Sequence, residues 1–111
     1  MRFRTSPAFT FQNSASLYTA GIDVSGTGYV VDFESRQGDE KRFYPFRHCN
    51  IANNSDYPVI FDINNAGRTI TVVNRATQDL DDLQLVSFAV RLATGSSEIG
   101  PNKIVITVWN D

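Results

Sequence analysis

A chain of 111 residues sets the scale of one domain, which buries roughly two thirds of its extended surface and holds a core without staples. One cysteine excludes an internal disulfide, and ten basic against twelve acidic side chains exclude the basic stripe of a dedicated nucleic-acid binder. No segment nears the ~20 apolar residues of a membrane helix, and MRFRTSPAFTFQ starts basic without reaching the apolar run of an export signal.

Residues 1–11 read as an N-terminal arm ahead of a single domain over 12–111. The arm carries Arg2 and Arg4, then Pro7, Phe9 and Phe11. Chain ends stay loose unless they dock, so such an arm is held either by its own domain or by a neighbouring subunit. Short strands are expected at 8–12 and 17–22, and SGTG at 25–28 breaks the chain before the next one. In GYVVDFES, Tyr29, Val31 and Phe33 share one face while Val30, Asp32 and Glu34 share the other. A turn around Gly38 in RQGDE follows, with strands expected at 41–46 and 47–52.

Alternation then becomes regular. Tyr57, Val59, Phe61 and Ile63 align in YPVIFDIN, and NNAG at 64–67 turns the chain, with Gly67 suited to the left-handed conformation of a hairpin. Ile70 and Val72 align next. ATQDLDDLQL at 76–85 is the only stretch that starts a helix, one short turn near 77–83 capped by Thr77 or Asp79. Val86, Phe88, Val90 and Leu92 resume the period of two, TGSSEIGPN forms a loop, and Ile104, Ile106 and Val108 close the pattern. Seven to nine strands at spacings of about ten residues predict an all-β, two-sheet antiparallel β-sandwich, jelly-roll-like or immunoglobulin-like.

His48 and Cys49 are the only histidine and cysteine, and they adjoin. On a strand, neighbours project to opposite faces, so the pair forms no thiolate–imidazolium dyad. Cys49 and Ile51 are expected to face inward, with His48 and Asn50 outward. The acids of DLDD (Asp79, Asp81, Asp82) lack the glycine and trailing glutamate of a calcium loop and read as turn-stabilising. One histidine and one cysteine are too few for a transition-metal site. GTG at 26–28 lacks the third glycine and following helix of a phosphate site, and Asn53-Asn54-Ser55 reads as a polar turn. No catalytic residue, cofactor or metal is expected.

What remains suits recognition. Trp109 falls on the face opposite Ile104, Ile106 and Val108, and Arg42, Tyr44, Phe46 and Arg47 interleave cations with aromatics around Pro45. Aromatic and arginine side chains dominate interface hot spots, and eight arginines against two lysines favour fixed, bidentate contacts. Arg2, Arg4, Phe9, Phe11, Arg42, Tyr44, Phe46, Arg47 and Trp109 are therefore the candidate partner-binding residues.

The stretch NIANNSDYPVIFDINNAGRTITVVNRATQDLDDLQL runs as a strand into a polar turn, a hairpin, then an acidic turn before the next strand. In this pattern the part from Asn50 to Trp109 resembles small all-β structural proteins of virus and phage particles. The resemblance implies a capsid, decoration or neck component that contacts neighbouring subunits, as a homo-oligomer or a layer on a lattice, without catalytic residues. The expected function is thus a non-enzymatic assembly subunit of a virion, made in the host cytoplasm, binding other protein subunits and no membrane. The alternatives are a carbohydrate-binding module with Trp109 and Tyr44 as stacking platforms and, last, an enzyme subunit; a cellular chain would be cytoplasmic.

Overall fold

The computed structural model describes residues 7–14, 16–18, 29–36, 38–64, 68–93 and 98–110. Ten strands follow in chain order: β1 (Phe9–Gln12), β2 (Leu17–Tyr18), β3 (Tyr29–Asp32), β4 (His48–Asn53), β5 (Val59–Ile63), β6 (Arg68–Val72), β7 (Thr77–Leu80), β8 (Ser87–Leu92), β9 (Glu98–Ile99) and β10 (Ile104–Trp109). Two four-stranded antiparallel sheets result, with orders β1-β10-β4-β7 and β3-β8-β5-β6, joined by the short pair β2-β9. The protein is a two-sheet β-sandwich.

The pairing is nested. β5 pairs with β6, β4 with β7, β3 with β8, β2 with β9 and β1 with β10. The strands make one long antiparallel ribbon, folded between β5 and β6 and rolled so that β10 also meets β4 and β8 also meets β5. That is the double Greek key of a jelly roll, which settles the choice against an immunoglobulin-like connection.

Period-two alternation fills the gap between the sheets. Ile51, Ile104, Ile106 and Val108 project from one sheet, and Val59, Phe61, Ile63, Phe88, Val90 and Leu92 from the other. Every phenylalanine among the described residues joins one ring cluster. Phe33 sits edge-on to Phe46 at 5.0 Å and to Phe11 at 5.5 Å, Phe88 stacks on Phe61 at 5.4 Å, and Phe9 reaches Phe46 and Phe43. Large rings suit a layer about 10 Å thick.

Asparagine side chains fasten the loops. Asn13 Oδ1 accepts from the amides of Lys103 and Ile104 while its Nδ2 donates to Gly100 O, tying the β9–β10 turn to the end of β1. Asn53, fully buried, donates to the carbonyls of Tyr57, Val72 and Val73 and accepts from the Ser55 amide and hydroxyl. Asn64, at φ 59°, accepts from the amides of Val86 and Ser87. A side-chain amide offers both donor and acceptor, so one residue satisfies backbone groups that a loop leaves unpaired.

Two expected elements differ. Residues 77–80 form β7, because Thr77 and Asp79 pair across to Ala52 and Asn50 instead of capping a turn. A 3-10 turn spans Asp39–Arg42, from the turn expected around Gly38 into the start of the strand expected at 41–46, which does not form; acids at its start and bases at its end suit its dipole. Beyond it the chain passes a cis Tyr44–Pro45 peptide, and Phe46 makes a lone bridge to Leu85.

Candidate interaction surface

Several candidate residues belong to the fold. The stretch read as an arm divides: Arg2 and Arg4 lie outside the described residues, whereas Phe9–Gln12 is an edge strand of the chain's own sheet. Phe11 and Phe46 are buried in the ring cluster and are not free to anchor a partner, while Phe9, half-buried, packs against it. FTFQ held the signal, since its alternation is that of a strand with one buried face. Tyr44 packs partly on the core, and Arg42 is exposed above the Phe43 ring, 6.0 Å from its centroid.

His48 and Cys49 do project to opposite faces of β4, yet both are buried. Cys49 faces the core, where burial first and the negative charge of Asp79 second push its thiol up to about 12. His48 faces outward but is only 2% exposed, because the register sets it beside Trp109. The two rings stack with centroids 5.6 Å apart, and His48 Nδ1 donates to Asp81 Oδ1 at 2.7 Å.

The other acids of DLDD are engaged in the same way. Asn50 Nδ2 donates to Asp79 Oδ1 at 2.6 Å, and Arg47 reaches Asp82 at 3.4 Å. Asp82 and Arg47 line an open depression of about 520 Å³ with Pro45, Leu83 and Gln84. The three acids thus answer Arg47, His48 and Asn50, and of these contacts Asn50–Asp79 is a cross-strand pair in register. The charged and amide groups on the outer face of this sheet are thus engaged with one another. Even Thr10 and Thr107 bring their hydroxyls to 3.4 Å.

The outer face of the second sheet differs. Register aligns Val30, Ala89, Asp62 and Thr69 in one row across it, and Arg91, Ile60 and Thr71 in the next. Val30 is 67% exposed, and a depression of about 300 Å³ lies between β3 and β8 where Ser87 and Ala89 are small. Asp62 Oδ1 is buried with no hydrogen-bond partner, and the half-buried Arg91 makes no ion pair among the described residues. A buried carboxylate oxygen without a donor is costly, and natural interiors seldom leave one. Sequence reasoning passed over both residues. Each occupies an ordinary outward position of an alternating strand, and only the register brings them to diagonal neighbours.

Among the described residues no helix is long and apolar enough to cross a membrane. The chain matches no known protein-family model, and no curated protein sequence is similar to it.

Proposed function

We propose that this chain is a non-enzymatic structural subunit, a jelly-roll sandwich that binds neighbouring subunits within a larger particle such as a virion, as a capsid, decoration or neck component. The observation that carries the reading is the contrast between the two outer faces. One spends its histidine, acids and amides on internal partners, while the other presents apolar side chains beside a carboxylate and a guanidinium, Asp62 and Arg91, that make no ion pair among the described residues. An exposed apolar side chain beside opposite charges that make no ion pair among the described residues favours contact with another molecule. The jelly roll supports the virion setting as one of its known uses, shared with lectins and cupins; fold alone does not decide function. The sequence resemblance to small virion proteins points the same way.

The carbohydrate alternative is weaker, since one face of Trp109 is occupied by His48 and Tyr44 packs on the core. Native mass spectrometry of the purified chain, alone and with co-purifying proteins, tests the assembly reading. Species heavier than the 12.4 kDa monomer are expected. A chain that stays monomeric and brings no partner overturns it.

A further inference from the structure

Resting on that reading, we infer that the outer face of the β3-β8-β5-β6 sheet binds the same face of a second copy about a two-fold axis, with Asp62 of each copy meeting Arg91 of the other. The occupant follows from charge complementarity. A two-fold interface is isologous: if residue i touches j, then j touches i. Asp32 at the end of β3 also lies on this face but takes the Glu34 amide at its Oδ1. Asp62 and Arg91, which make no ion pair among the described residues, stand on adjacent strands two positions apart in register, and that pair of opposite charges is complementary to itself under the two-fold operation. A partner of different sequence would need a matching pair of opposite charges at the same spacing; a second copy has it by construction.

Geometry agrees. Sheets stacked face to face lie about 10 Å apart, a gap that an extended arginine and a facing aspartate span together. Val30, Ile60 and Ala89 supply the apolar contact around the charges, and the small side chains at 87 and 89 leave a hollow for the opposing surface. The guanidinium brings the half-buried carboxylate a charge-assisted donor on its open side, which no described residue offers it within the chain. A patch of four short strands is at the small end of stable interfaces, so the pairing is concentration-dependent.

Sedimentation velocity from about 1 to several hundred micromolar tests this on the whole chain. Wild type should pass from monomer to dimer across the range. Asp62→Arg puts two cations at each contact and Arg91→Asp two anions, so each alone should weaken dimerisation at least tenfold. An equimolar mixture of the two variants restores opposite charges at both contacts and should form a mixed dimer. Val30→Asp, at an exposed edge position that leaves folding intact, should weaken the dimer by a similar factor. Folded single variants that dimerise like wild type, or a mixture that stays monomeric, would overturn the pairing. An unaltered dimer in Val30→Asp would do so even if the charge variants failed to fold. Wild type that assembles indifferently to all these changes ends this inference and leaves the assembly reading standing. Wild type that stays monomeric ends the pairing, and the assembly reading falls with it only if no other protein co-purifies.

Discussion

The imidazole of His48 lies nearly parallel to the indole of Trp109, planes 20° apart, and that contact buries a residue on the outside of a sheet. Asp81 completes the arrangement at Nδ1. The pair is cross-strand, on the two central strands of its sheet. Aromatic pairs contribute about 0.5–1.5 kcal/mol beyond the area they bury. A double-mutant cycle of His48→Ala and Trp109→Ala in urea should return a coupling of about that size. Additive losses would mean that the rings adjoin without supporting one another.

Asn53 is expected to be among the least replaceable residues. Its two amide hydrogens are shared among three carbonyls, and its oxygen takes the Ser55 amide and hydroxyl; the bonds to Val72 and Ser55 lie away from water. Asn53→Ala should cost about 3–5 kcal/mol, since each buried polar group left unpaired costs about 1–3. Asn53→Asp should be at least as damaging, because a carboxylate would then face three carbonyl oxygens. A loss below about 1 kcal/mol for Asn53→Ala, in equilibrium unfolding, would show that water replaces the amide freely.

Cys49 should be chemically silent in the native protein. Its thiol is raised from 9.0 to about 12, so the folded state binds the proton more tightly than the unfolded chain does. The corresponding stability is fully present below pH 9 and is lost as pH rises from there towards 12. At pH 8 a thiol reagent should label Cys49 only as fast as the protein opens, and denaturant should accelerate labelling to the rate of a free thiol. Rapid labelling of native protein would contradict the burial.

Part of the acid sensitivity should come from Glu40. Burial pushes its carboxyl up, but the hydrogen bond from Arg36, its own backbone amide and the Arg36 charge together bring it below its ordinary value. A depressed carboxyl stabilises the fold above its unfolded value of about 4.5, and the contribution disappears as pH falls through the folded one. Arg36→Gln should therefore flatten the acid limb of the stability profile. Gly38→Ala should do the same by another route, since a Cβ there would fall 2.7 Å from the Glu40 carboxyl carbon. Thermal melts between pH 3 and 7 would show it, and an unchanged acid limb in Arg36→Gln would rule out the pair as its source.

Alternation placed the core well. Val59, Phe61 and Ile63, Phe88, Val90 and Leu92, and Ile104, Ile106 and Val108 are buried where the period of two puts them, because a half-buried strand writes its orientation into adjacent residues. Register is different information. Nothing in the neighbourhood of His48 announces Trp109, which arrives from 61 positions away, and so its burial was not legible. The same holds for Asp62 beside Arg91. The strand expected at 8–12 forms as Phe9–Gln12, but its partner, β10, comes from the far end of the chain, so nothing local showed that Phe9 and Phe11 pack on the chain's own core.

The nested ribbon has a consequence for the order of events during synthesis. β10 lies in the interior of its sheet, between β1 and β4, yet it is the last of the ten strands to leave the ribosome. Until residue 109 emerges, β1 has no neighbour and one flank of β4 stands open. The nascent chain must therefore keep two sticky borders apart while it waits for the piece that separates them.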